Sequence, residues 1–311
     1  MLSTHRAIFV GTGDFALPIL GACSEITQVV AVVTPPPRPK GKKKILEPSV
    51  VATTARTMGL PVYQPERLGD IRDILISLNP EVMVVAEYGQ IIPASVLVIP
   101  PRGTVNVHPS LLPLHRGPAP VPATILAGDR ETGVTLIVMD GKMDHGPILA
   151  QKKIALHGQE RNLKLLADLA IIAAEMIRTT LSPFLDGEIM PVEQNHQAAT
   201  SHSLLDRDAG RLEFTMTGEE VWRRFRALHP WPGVWIELPI RGRVTRLKII
   251  EMSPADHAIN RAPGTLIWSG NEVRLILKDS AITLQTIQIP GGKPLAGPEF
   301  YRGYNDIFLN E

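Results

Sequence analysis

Four short apolar runs, AIFV at 7–10, VVAVV at 29–33, VMVVA at 82–86 and TLIVM at 135–139, constrain the first half of this chain more than any other feature. Each is rich in β-branched residues, apolar at every position but Thr135 and bounded by Gly, Pro or polar residues. That is how a strand reads when both of its faces are covered. Two dry faces require a helix layer on each side, and the stretches between the runs have helical character. Between 160 and 180, Leu163, Leu166, Ala170, Ala173 and Ile177 recur at helical spacing and predict a covering helix. The pattern as a whole predicts a doubly wound, mainly parallel α/β sheet of Rossmann-like type over residues 1–185.

Two covered faces need a large supply of apolar side chains, and a chain that is 44% hydrophobic and 20% charged provides it. Disorder is excluded on that ground. The formal charge is only +1, so any contact with a polyanion has to come from local clusters. Cys23 is the only cysteine, which excludes an intrachain disulfide and a thiolate zinc cage; it is expected in the core. No apolar run approaches the roughly 20 residues of a membrane span, and MLSTHR leads directly into the first strand. A cytoplasmic protein without membrane association is expected, and a monomer.

Beyond the sheet, residues 186–207 lack periodicity and read as a linker. From 208 to 311, VWIEL, RLKIIE, GTLIW, VRLILK and ITLQTIQI follow one another at short intervals with Gly, Pro or Asn between them. Such spacing predicts a second, smaller domain built as a β-barrel.

Three motifs carry chemistry. GTGDFA at 11–16 fits the dinucleotide fingerprint, but the second strand ends in Thr34 and three prolines where an acid should hold the ribose, so a tight strand-to-helix turn is the better reading. The segment 34–49 carries Arg38, Lys40, Lys42, Lys43 and Lys44 against Glu47 alone, so +5 and −1 leave a net +4. It is too rich in Pro and Gly for a helix and is expected to be a flexible basic loop suited to phosphates. In TVNVHPSLLPLHRGPAP, residues 104–120, Asn106 and His108 are two apart on an extended segment and point to one side. A carboxamide and an imidazole facing a cleft can donate to one oxygen, as stabilising an oxyanion requires. Asp140 and Asp144, after the run at 135–139, are the carboxylates placed to orient that imidazole. His115 and His145 read equally well as surface residues, and no spacing suggests a metal site.

At this point the motifs carry a resemblance. NVHPSLLPLHRG with MDHGPILAQ resembles the active-site signature of the folate-dependent formyltransferases, and GTGDFA, the basic segment, GLPVYQP, AEYGQIIP, AGDRETGVT, LHPWPGVW and GGKPL resemble, in order, segments of its tRNA-directed members. The resemblance implies a formyltransferase domain followed by an OB-like tRNA-binding domain. It implies transfer of a formyl group from 10-formyltetrahydrofolate to the free α-amine of methionine on initiator tRNA, with no metal. Under it Asn106, His108 and Asp144 are the catalytic trio; Ser110, Leu111, Leu112 and Pro113 contact the folate; Gly89, Gln90, Ile91 and Ile92, with Met139 and Asp140, wall the pteridine pocket. Arg38, Lys40, Lys42, Lys43 and Lys44 face the acceptor end of the tRNA. The chain departs from the family pattern at Pro118 and at Ser201–Leu205, where a linker lysine is missing. The competing expectation is a sugar-nucleotide N-formyltransferase with the same donor; the basic segment and HPWPG favour tRNA.

Overall fold

The computed structural model describes residues 5–40, 45–255 and 261–310. They fall into two compact units: Met1–Thr124, Arg130–His157 and Lys164–Ser203 form the first, and Ile125–Asp129, Gly158–Leu163 and Leu204–Glu311 the second.

In the first unit the chain runs β1 (Arg6–Gly11), α1 (Ala16–Ile26), β2 (Gln28–Val33), β3 (Arg38–Lys40), β4 (Ile45–Glu47), α2 (Val50–Thr57), β5 (Val62–Tyr63), α3 (Arg72–Ser77), β6 (Val82–Ala86), α4 (Ala94–Leu97), β7 (Thr104–His108), α5 (Pro120–Ala127), β8 (Glu131–Val138), β9 (Ile148–Ala155) and α6 (Asn162–Leu185). The sheet order is β5-β2-β1-β6-β7-β8-β9. Strands β5 to β7 are parallel; β8 and β9 add antiparallel pairs at one edge. The expected fold is therefore present, with the difference that the run at 135–139 lies in an antiparallel hairpin whose strand stops at Val138.

Register explains the core. Ile8 pairs with Met83 and Val10 with Val85, so these four side chains share one face, where Leu75 and Val96 cover them. Cys23 is buried on α1, and burial pushes its thiol up to about 12. Helix α6 is longer than its periodicity suggested, and its buried stripe runs through Leu165, Leu169, Ala173 and Ile177. Leu163, expected in that stripe, is 58% exposed because it sits in the first turn, on the opposite side from Leu165.

Two local corrections follow. The described flanks of the basic segment form a two-stranded antiparallel ribbon in which Arg38 pairs with Glu47 and Lys40 with Ile45, in place of the expected flexible loop. The stretch read as a linker is, up to Ser203, part of the first unit: Val192 bridges to Ile148, and Ser201 to Arg116.

In the second unit α7 (Gly218–Leu228) is followed by β10 (Val234–Ile240), β11 (Arg243–Ala255), β12 (Leu266–Ser269), β13 (Glu272–Ile276), β14 (Ala281–Gln288), β15 (Leu295–Ala296), α8 (Gly297–Gly303) and β16 (Leu309–Asn310). The strand order is β10-β11-β14-β13-β12-β16, with β15 on β14. Strand β11 pairs with β10 through its first half and with β14 through its second; its register shifts between Ile249 and Met252, where it turns from one partner to the other. The result is an OB-like half-barrel. Arg241 and Gly242, both at positive φ, make the two-residue turn that starts β11. Helix α7 was not expected. Its signal is a capping box, Thr217 accepting from the Glu220 amide while Glu220 accepts from that of Thr217.

Candidate active site

Strands β1, β2, β6 and β7 all end at the same edge of the sheet, and the strand order reverses between β1 and β6, where ligands of such sheets bind. Asn106 lies on β7 opposite Val85 of β6, and His108 ends the strand one residue past the last pair, Val107 with Ala86. Asn106 and His108 do point to one side. The third group arrives from the other direction: β8 is antiparallel to β7, with Val138 opposite Val105, so the loop from 139 to 147 begins near the start of β7 and must come back along it. Asp144, at φ +50, makes that return.

The three side chains meet at one atom. Oδ1 of Asp144 accepts from Asn106 Nδ2 at 3.3 Å and faces His108 Nδ1 at 3.6 Å, while its Oδ2 accepts from the Gly117 amide at 2.7 Å. His108 is 4% exposed, and its Nε2 lies 3.0 Å from the carbonyl oxygen of His115. A carbonyl only accepts, so Nε2 carries a proton, and Nδ1 is the nitrogen left to act. At 3.6 Å the Nδ1 contact is too long for a hydrogen bond, and the imidazolium is the one form of the ring that donates from both nitrogens.

The loop that follows β7 is built to present these partners. Ser110 is fully buried, its hydroxyl donating to the Leu114 carbonyl at 2.7 Å; Thr135 Oγ1 donates to the Ser110 carbonyl at 2.6 Å and accepts from the Leu112 amide at 3.1 Å. His115 takes φ +59, which aims its carbonyl at His108. Gly117 takes φ +111, and a side chain there would run into the His202 carbonyl, so only glycine puts this amide against Asp144.

Of the residues expected to hold a folate, Ser110 and Leu112 turn their side chains into the interior, which leaves Leu111 and Pro113 half-buried at the surface of the turn. Gly89 is exposed and Ile91 is 90% exposed; Ile92 packs in the core, and Gln90 accepts from the Tyr88 hydroxyl. A cavity of about 370 Å³ lies against Met139 and Asp140, with Ala94, Leu97, Val98 and Gly103 on its other walls. Burial would raise the Asp140 carboxyl, but donations from the Lys142 amide and His145 outweigh it and hold the group below the usual carboxylate range. The cavity leaves out the trio itself. Of the five cations proposed to face phosphates, Arg38 and the backbone of Lys40 lie on the β3–β4 ribbon; Lys42, Lys43 and Lys44 lie outside the described residues.

Several residues that shape the site gave no usable signal in the sequence. Arg116 is 9% exposed, and its Nη2 donates to Gln194 Oε1 at 2.7 Å and His196 Nδ1 at 2.9 Å. The His196 ring stacks on His145 at 4.0 Å, and His145 bonds Asp140 at 2.7 Å. Gln194 and His196 lie some 80 residues from Arg116 in a stretch without periodicity. Glu87, at φ +51 after β6, adds a structural reason to read GTGDFA as a strand-to-helix turn. Although the residue as a whole is exposed, its carboxylate lies against Gly13 and accepts from the Phe15 amide at 3.0 Å. It fills the place at the start of α1 that a pyrophosphate would take. Desolvation raises this carboxyl, the Phe15 amide opposes the shift, and nearby Asp14 adds to it.

Among the described residues no three His, Cys, Asp or Glu side chains are grouped as if to hold a metal, and no helix is long and apolar enough to cross a membrane. The family model described as formyl transferase matches residues 5–177, and that of the formyl transferase C-terminal domain matches 204–305. The chain is 40% identical over 305 residues to the methionyl-tRNA formyltransferase of Roseiflexus castenholzii, covering 96% of each chain, and 37% identical to that of Myxococcus xanthus, covering 97% of this chain and 96% of the other. Among solved structures, HypX from Aquifex aeolicus in complex with tetrahydrofolic acid aligns over 99% of this chain and 49% of its own, with a TM-score of 0.64 and 14% identity. An N-formyltransferase from Helicobacter canadensis, in complex with folinic acid and dTDP-3-aminofucose, aligns over 91% of this chain and 99% of its own, with a TM-score of 0.66 and 15% identity. At those identities the structural likeness speaks for the fold alone.

Proposed function

The chain belongs to the formyl transferase family, and from that premise we infer that it transfers a formyl group to the α-amine of methionyl-tRNA, with a folate as donor. The finer assignments, 10-formyltetrahydrofolate as the donor and initiator tRNA as the acceptor, belong to this proposal. One observation carries the chemical part: Asn106, His108 and Asp144 converge on a single carboxylate oxygen at 3.3 and 3.6 Å.

Attack of the amine on the formyl carbon places negative charge on the formyl oxygen and positive charge on the nitrogen. Asn106 Nδ2 turns from Asp144 to that oxygen, and His108 donates to it from Nδ1 while the His115 carbonyl keeps Nε2 in place. Each such donor is worth about 3 to 4 kcal/mol of barrier. Asp144, with Oδ2 held by the Gly117 amide, has Oδ1 free to take the proton of the amine. The C–N bond to methionine forms, the bond from the formyl carbon to the folate nitrogen breaks, and that nitrogen leaves with the proton that Asp144 took from the amine. The donor brings an activated carbon, so these residues have only to orient, stabilise charge and carry one proton.

The cavity beside Met139 and Asp140 supports a pteridine there: apolar walls suit the ring faces, and a carboxylate held ionised suits an amino edge. For the acceptor, one face of β10 and β11 carries Arg246 over the Trp235 ring at 3.6 Å and opposite Glu237 in register, with Lys248 opposite Trp235, two cations on one face suited to phosphates. A protein that meets initiator tRNA works in the cytoplasm. The test is transfer of labelled formyl from 10-formyltetrahydrofolate by the purified protein to charged initiator tRNA and, in parallel, to amino-sugar nucleotides. Formyl-methionyl-tRNA is the expected product; transfer to the sugar nucleotides alone overturns the proposal.

A further inference from the structure

We propose that Gln194 is the positioning residue for Asp144, a reading that rests on the function given above. Gln194 is 5% exposed. Its Nε2 donates to the carbonyls of Asp144 at 2.9 Å and Gly146 at 2.7 Å, and its Oε1 accepts from Arg116 Nη2 at 2.7 Å. Two carbonyls on one side and a guanidinium on the other fix which way the amide faces, because a flip would set acceptor against acceptor and donor against donor.

The backbone it holds is unusual. Asp144 takes φ +50, a left-handed conformation uncommon outside glycine although Asp tolerates it better than most residues. Here the residue is gripped at two points: the Gly117 amide holds the carboxylate, and Gln194 holds the carbonyl. Through Arg116, Gln194 also ties the 139–147 loop to the 115–117 loop, which supplies the carbonyl for His108 and the amide for Asp144. One side chain thus sets the separation of the two loops that meet where the Gly117 amide holds Asp144 Oδ2. Gln194 itself bonds Asp144 only through the backbone and contributes no group to the trio, so its loss acts on kcat and leaves binding alone.

Three variants separate the parts of this role. Gln194→Ala removes every bond. Gln194→Met keeps the volume without the donors. Gln194→Glu keeps an acceptor for Arg116 but turns a carboxylate on two carbonyls. All three are expected to lose at least 30-fold in kcat, with KM for the tRNA and the folate within twofold of the parent. For Gln194→Glu the activity relative to the parent rises as pH falls, because the protonated acid regains one donor. Exchange of the Gly117 amide, followed by NMR, is expected to quicken at least tenfold in Gln194→Met and Gln194→Glu. Parent-like kcat in these two variants, a loss confined to KM, or unchanged Gly117 exchange overturns the proposal. A parent protein that transfers no formyl group to tRNA would defeat the functional reading instead, and the exchange measurement would still decide the role of Gln194.

Discussion

Replacing Gly117 with alanine tests the architecture of the site at its tightest point. The residue sits at φ +111, where a side chain costs of order 1–3 kcal/mol in backbone strain, and the added methyl would run into the His202 carbonyl. Relief requires the loop to move. Movement breaks the 2.7 Å bond to Asp144, a hydrogen bond to a charged group worth about 1.5–3 kcal/mol, and loosens the 2.9 Å bond from the His202 amide to the Arg116 carbonyl. Partial relaxation returns some of that cost, so a loss of about 2–4 kcal/mol is expected in urea unfolding followed by circular dichroism. Asp144 would then swing out of line with His108, and a misplacement of about 1 Å costs roughly 100-fold in kcat. Gly21→Ala is the control. Gly21 lies inside α1 with nothing near the position of an added methyl, and the change should raise stability by about 0.5–1 kcal/mol and leave kcat alone. A Gly117→Ala protein with the parent's urea midpoint and kcat would refute the argument that this amide pins the carboxylate.

Three further outcomes are expected. His5 is raised from its ordinary value by its bond to Glu81, against burial and with help from Asp186; stability from this clamp is therefore full below about pH 6.5 and is lost as pH rises through the raised value, so His5→Gln should lower the urea midpoint at pH 6 and much less at pH 9. Glu87 is raised as well, and as an acid it binds more protons folded than unfolded, so the parent loses stability as pH climbs from the ordinary carboxylate range through the raised value; Glu87→Gln keeps an acceptor for the Phe15 amide and should be more stable than the parent at pH 8 but not at pH 4. Neutralising Lys42, Lys43 and Lys44 together should raise KM for tRNA and flatten its dependence on salt, and an unchanged KM would make the basic segment a solvated surface.

The sequence by itself determined what depends on neighbours along the chain. Strands with two apolar faces prescribe a covered parallel sheet, so β6 was legible residue for residue and β1 and β2 to within a residue at their ends, while five of the seven strands described in the second unit were legible as strands but not in their bounds. Asn106 and His108 were legible because a strand alternates its faces, and Asp144 because a motif marked it. Helix α7 leaves a capping signature in Thr217 and Glu220, and Leu163 falls off the buried face because periodicity alone does not say which stripe of a long helix is covered. Tertiary structure decided the rest. That β8 returns antiparallel, that Glu87 fills the turn after β1, and that Gln194 and His202 fold back onto the loop at 113–117 all depend on pairings across some 20 to 90 residues. Hydrogen bonds of that span leave no periodic trace, because one buried amide or carbonyl satisfies its partner wherever in the chain the partner lies.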